Sequence, residues 1–109
     1  MWECREWRRR NGFGADCLFK YYETQDLESV ISSIKDVQVL LSCGLELAVR
    51  YKNCNAYIEA FAQQFCIDAI CDGKDYWWSA FTLDELEDAM VGPYRLKDIV
   101  DKWEIVEFN

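Results

Sequence analysis

The side chains able to do chemistry are unevenly supplied in this chain. Its 109 residues include six cysteines, twenty aspartates and glutamates, twelve lysines and arginines, and no histidine. Without histidine the commonest general base and the commonest nitrogen ligand for metals are missing. Cys4, Cys17, Cys43, Cys54, Cys66 and Cys71 contain no Cys-x-x-Cys spacing, so a zinc site would have to gather four thiolates from separate elements. No cysteine has an evident activating lysine or helix N-terminus beside it. There is no phosphate-binding glycine loop, no dinucleotide fingerprint and no Gly-x-Ser-x-Gly turn. The expectation is a protein without a catalytic site, a metal or a cofactor.

An even cysteine count invites a disulfide framework. The opening Met1-Trp2-Glu3-Cys4-Arg5 carries charge of both signs and leads into no apolar signal segment. The cysteines are therefore read as small buried hydrophobes with free thiols, in a cytoplasmic protein. No apolar run approaches the length that spans a bilayer, so no membrane is expected.

Charge is more informative than nucleophiles. The net charge is −8 and the pI about 4.4. Residues 1–20 hold five basic and three acidic groups, a net +2; the other 89 hold seven basic and seventeen acidic, a net −10. The acids thicken along Asp68, Asp72, Asp75, Asp84, Glu85, Glu87 and Asp88, with Trp77 in their midst. That combination suits a partner with a basic surface, because opposite charge steers association and tryptophan anchors interfaces. For any one of these acids a solvated surface is the plainer reading. Arg8-Arg9-Arg10, between Trp7 and Phe13, form a basic patch that could meet phosphates. Three arginines in so acidic a chain make direct nucleic-acid binding the weaker reading.

The elements that would position these residues follow from periodicity. Half the residues are hydrophobic and 16% aromatic, which excludes disorder and supports a single α+β domain over residues 1–109. Asn11-Gly12 predicts a first hairpin over Trp2–Tyr22, pairing Glu6 with Cys17, Cys4 with Phe19 and Trp2 with Tyr21. A long helix follows, capped by Thr24, striped by Leu27, Val30, Ile31, Ile34, Val37 and Leu41, and ended at Gly44. The competing reading breaks it at Lys35-Asp36 and makes Val37–Ser42 a strand. Leu45–Lys52 alternates as a half-buried strand, and Asn53-Cys54-Asn55 reads as a turn. Ala56–Gln64 fits helix and strand alike.

Asp72-Gly73 predicts a second hairpin with Cys71 opposite Lys74, Ala69 opposite Tyr76, Ile67 opposite Trp78 and Phe65 opposite Ala80. One face is core; the other carries Asp68, Asp75, Trp77, Ser79 and Phe81. Of the five tryptophans, Trp2, Trp78 and Trp103 are assigned to core faces, and Trp7 and Trp77 to the opposite ones. For both of the latter, cover by another element is preferred to exposure. Thr82-Leu83-Asp84-Glu85 reads as a capping box opening a short helix with Leu83, Leu86 and Met90 inward. Pro93 opens another, striped by Leu96, Ile99, Val100 and Trp103, with Asp98 and Lys102 paired in solvent. Ile105, Val106 and Phe108 close the chain as a strand.

The predicted architecture is α+β: a mostly antiparallel sheet built from hairpins, one long helix after the first hairpin, and two short helices near the C-terminus. The expected function is a small acidic protein-binding inhibitor that blocks a nucleic-acid-binding enzyme. A CRISPR or restriction nuclease met by a phage anti-defence protein, or a nuclease toxin met by an immunity protein, fits that size and charge. The alternative is a self-associating, non-catalytic adaptor, a homo-oligomer in which basic hairpin meets acidic helix.

Overall fold

In the computed structural model, which describes residues 1–14 and 31–108, Asn11-Gly12 ends a helix instead of turning a hairpin. Helix α1 spans Trp2–Arg10 and buries Cys4 and Trp7. Glu3 lies in its first turn and Arg8, Arg9 and Arg10 in its last, the arrangement its macrodipole favours. Gly12, at φ +81°, sits just past the cap. Its N–H donates to the Arg9 carbonyl, and the Phe13 N–H to that of Arg8. These two bonds make a Schellman motif, which needs the left-handed backbone glycine adopts freely. Phe13 completes it by stacking on Trp7 at 5.8 Å. Trp7, 1% exposed, is thus covered, as preferred for it, though inside a helix and not a hairpin; Trp2, assigned to a core face, is 67% exposed. The expected first hairpin is overturned over Trp2–Arg10; its other half, with Cys17, lies outside the described residues.

Helix α2 covers Ile34–Ser42 only. Residues 31–33 are not helical. Ser33 caps α2 through a box with Asp36: the Asp36 N–H donates to Ser33 Oγ, and the Ser33 and Ser32 N–H groups donate to Asp36 Oδ2. Those local bonds compete with continuation of a ladder from upstream, so the unbroken helix through Val30 and Ile34 is replaced by a fresh start at Ser33. The expected Thr24 cap lies outside the described residues, and the alternative strand over Val37–Ser42 is overturned. α2 ends at Gly44 as expected, in a second Schellman pair to Leu41 and Leu40. All of α2 except Lys35 is buried. Buried Gln38 satisfies its amide by donating to the Leu83 carbonyl at 2.9 Å.

The rest is mostly sheet. Strands β1 (Leu47–Tyr51), β2 (Cys54–Phe61), β3 (Gln64–Cys71), β4 (Lys74–Ala80) and β7 (Glu104–Phe108) form an antiparallel sheet in the order β4-β3-β2-β1-β7. The β3–β4 register has every predicted pair, from Phe65 opposite Ala80 to Cys71 opposite Lys74. The ambiguous stretch is strand: β2 pairs with β3 from Cys54 opposite Cys71 to Phe61 opposite Gln64. The core face carries Leu47 and Val49, Ala56 and Ile58, Phe65, Ile67 and Ala69, and Ala80, all buried. α1 packs on α2, and both meet a 3₁₀ helix over Leu83–Asp88 that also contacts β4.

Two local expectations change here. Thr82 precedes the 3₁₀ helix, but its hydroxyl donates to the Glu85 carboxylate at 3.0 Å, so the reciprocal backbone box does not form. The segment ends at Asp88, and Met90–Val91 (β5) and Tyr94–Arg95 (β6) pair around Gly92-Pro93, which places Pro93 in a turn. Helix α3 is the four residues Leu96–Ile99. Lys102 Nζ donates to the Asp98 carbonyl and not to its carboxylate.

The cysteines depart furthest from expectation. Cys54 and Cys71, directly opposite on β2 and β3 with Cα atoms 4.2 Å apart, form a disulfide, while Cys4 and Cys66 keep free thiols. Gly92 lies against the bridge. A Cβ there, at φ +59°, would fall 2.5 Å from Cys71 Sγ and 3.4 Å from Cys54 Sγ. No described helix is long and apolar enough to cross a membrane.

Candidate protein-docking face

A sheet covered by helices on one side leaves its other face to be explained. Alternation along each strand sends to that face Asn55, Tyr57, Glu59 and Phe61 from β2, and Cys66, Asp68 and Ile70 from β3. β4 adds Asp75, Trp77 and Ser79, and Phe81 follows directly. Trp77 is 63% exposed, Phe81 68%, Phe61 64% and Ile70 52%. Single exposed hydrophobics are ordinary on a protein surface; several large ones on one open sheet face are a recognised mark of an interaction site.

Register organises the face into rows. One row runs Trp77, Asp68, Tyr57, Ala48, Glu107 across β4, β3, β2, β1 and β7. The next runs Asp75, Ile70, Asn55, Arg50, Glu104. Aromatic or aliphatic side chains thus stand directly opposite carboxylates. The one base in these rows, Arg50, is taken up at 3.4 Å by Glu104 and at 3.3 Å by Asn55.

The carboxylates therefore crowd one another. The neighbouring Asp75 carboxyl, then desolvation and the Asp75 charge, raise the pKa of Asp68. Glu59 is raised by burial and by the nearby Glu46 charge. Cys66 is raised by burial and then by Glu59. The Tyr57 hydroxyl donates to Glu46, and chiefly for that reason its pKa is pushed up to about 12. Every perturbation on this face disfavours further negative charge, which is the condition that an arriving cation relieves.

The structure brings only some of the predicted residues together. Asp68, Asp75 and Trp77 share the open face. Asp72 is in the β3–β4 turn, where its carboxylate accepts from the Asn53 amide. Asp84, Glu85, Glu87 and Asp88 are exposed on the 3₁₀ helix, in the helical layer on the other side of the sheet. The basic patch is engaged internally. Arg8 donates to the Ser42 carbonyl, Arg9 pairs with Glu6 at 2.6 Å, and Arg10 pairs with Glu3 at 3.1 Å and Asp84 at 3.0 Å.

Tyr57, Phe61 and Ile70 were not singled out from the sequence. Ile70 was readable, since it follows Asp68 at the strand period of two; Tyr57 and Phe61 required β2 to be recognised as a strand. The Asp68–Asp75 pair was readable as well, since the predicted β3–β4 register sets the two diagonally on one face.

A groove of about 470 Å³ lies elsewhere, between the Met1, Cys4, Arg5 and Arg8 side of α1 and the Leu41–Gly44 end of α2. Its Cys4 thiol donates weakly to the Leu41 carbonyl at 3.6 Å, and burial raises its pKa, which suppresses the reactive thiolate. Among the described residues no three carboxylates or cysteines come together as metal ligands would. No protein-family model, no curated protein and no solved structure matches this chain, so its function has to be argued from the open face itself.

Proposed function

We propose that this chain is a small acidic inhibitor that works by binding another protein, and that its target is a nucleic-acid-binding enzyme whose basic surface it occupies. A CRISPR or restriction nuclease, or a nuclease toxin, has such a surface. The observation that carries the reading is the open sheet face, where Trp77, Phe81, Phe61 and Ile70 stand among Asp68, Asp75, Glu59 and Glu46. The aromatic residues supply buried area and orientation at the contact. The surrounding acids and the net charge of −8 speed the encounter and exclude acidic competitors. The acids of the 3₁₀ helix add to the field without belonging to the contact. The reading places the protein in the cytoplasm, where burial of Cys54 and Cys71 would shield their bridge from reductants.

The test is capture of partners from host lysate by the tagged chain at low and high salt, after nuclease treatment, alongside a Trp77→Ala/Phe81→Ala variant. Recovery of one basic nucleic-acid enzyme, weakened by salt and lost with the variant, supports the reading. Recovery of the bait alone, as a dimer or larger, overturns it in favour of a self-associating adaptor.

A further inference from the structure

Within the face just described, we propose that Trp77, Asp68 and Asp75 form a seat for one arginine side chain of the partner. This inference rests on the reading of the open face as a protein-docking surface, and it names the chemistry at the centre of the contact.

The argument begins with strand geometry. Asp68 is the direct cross-strand partner of Trp77, and Asp75 lies two residues before Trp77 on the same strand and the same face. Opposite partners bring side chains within about 5.5 Å, and neighbours at i and i+2 within about 7 Å. The indole and the two carboxylates therefore surround one spot, with Ile70, the cross-strand partner of Asp75, as its apolar wall. The indole is 63% exposed and offers its surface to solvent.

The chemistry of that spot is specific. A guanidinium is planar, carries five donors in a fixed fork, and stacks on aromatic faces while hydrogen-bonding carboxylates. An ammonium is a compact, strongly hydrated point charge that gains less from the indole and cannot bridge two carboxylates in one plane. Among the described residues the one base of these rows, Arg50, is held by Glu104 and Asn55. Asp68 and Asp75, diagonal neighbours on one face, instead set two like charges close together, a repulsion that a cation between them relieves. An arriving guanidinium lies between the two carboxylates, donates N–H groups to both and relieves their repulsion.

The experiment titrates the full chain with a tetra-arginine amide at low salt and follows the indole N–H resonances, with Trp77 assigned through Trp77→Phe. A tetra-lysine amide is the matched probe. The expected result is a saturable shift of the Trp77 indole, at least fivefold tighter for the arginine peptide. It should be lost in Asp68→Asn/Asp75→Asn and kept in Asp84→Asn/Glu85→Gln/Glu87→Gln/Asp88→Asn, which removes twice the charge from the other layer. A Trp77 signal that does not move, equal affinity for the two peptides, or an unchanged shift in Asp68→Asn/Asp75→Asn would each overturn the seat. The two readings separate cleanly. If Asp68→Asn/Asp75→Asn still captures the partner from lysate, the docking reading stands and the seat falls. If the unmodified chain captures nothing, the docking reading falls whatever the peptides do.

Discussion

Removing the Cys54–Cys71 bridge should cost a large share of the stability, and the size of the loss can be worked out beforehand. The two cysteines are separated by 17 positions. Closing a loop of that length in the unfolded chain removes entropy worth about 3 kcal/mol at room temperature. Unfolding entropy scales with chain length, and for 109 residues it is roughly 0.23 kcal/mol per kelvin near the midpoint. The Cys54→Ala/Cys71→Ala variant should therefore melt about 13 °C below the parent. The assay is thermal and urea unfolding of both proteins, each with and without dithiothreitol. Reductant should bring the parent down toward the variant and leave the variant unmoved. A loss below about 1 kcal/mol would refute the reasoning, because it would mean that the β2–β3 hairpin already holds these strands together in the unfolded state. A reductant effect in the double variant would show that the stability belongs to other cysteines.

Four other perturbations have defined outcomes. Trp77→Ala/Phe81→Ala should abolish partner capture while shifting unfolding free energy by no more than about 0.5 kcal/mol, because both side chains are exposed; a large loss of stability would show that the face is covered. Gly92→Ala should destabilise by about 2–4 kcal/mol in urea titration, since it combines a left-handed backbone with a Cβ 2.5 Å from a core sulfur; an unchanged midpoint would refute that packing. Ala62 and Gln63 occupy the β2–β3 turn at φ 53° and 66°, where Asn-Gly is preferred, so Ala62→Asn/Gln63→Gly should stabilise by about 1–2 kcal/mol; a fall in midpoint would argue against this turn. Asp68 binds its proton more tightly folded than unfolded, so its contribution is fully present below the ordinary value of 3.8 and is lost as pH rises through the raised one. Asp68→Asn should accordingly raise the melting temperature at pH 7 and not at pH 3, by a few tenths of a kcal/mol at so exposed a site; lowering it at pH 7 would show that the carboxylate is favourably paired.

The β3–β4 hairpin was legible because two independent signals agreed: Asp72-Gly73 sets the turn, and strict alternation sets the faces. Trp77, Asp68 and Asp75 were placed together on that basis. At the N-terminus the same kind of signal misled, because Asn-Gly serves both a hairpin and a helix C-terminus. What distinguishes them here is Phe13 folding back on Trp7, with three arginines in the last turn of α1, and neither feature belongs to a hairpin. The helix before Gly44 was seen but started too early, since the apolar spacing runs on across Ser33 while the backbone does not. β2 was obscured by the three alanines of residues 56–64, which favour helix in isolation; Ala56 and Ala60 sit in a strand only because β1 and β3 flank it. The disulfide was lost with it, as no sequence rule pairs Cys54 with Cys71 until the β2–β3 register is known.

The order β4-β3-β2-β1-β7 also bears on how quickly the parts can come together. Strands β1 to β4 are joined by three successive hairpins, so each contact closes a short loop. The fifth strand must come back to β1 from far along the chain; Arg50 and Glu104 meet across 54 positions. Loop closure grows dearer with separation, and contacts between distant residues slow the search. The four-stranded meander is thus the part built for speed, and the joining of β7 is the late step. Until that step the outer edge of β1 keeps its N–H and C=O groups unpaired, so the interval before β7 docks is when two copies are most prone to join edge to edge.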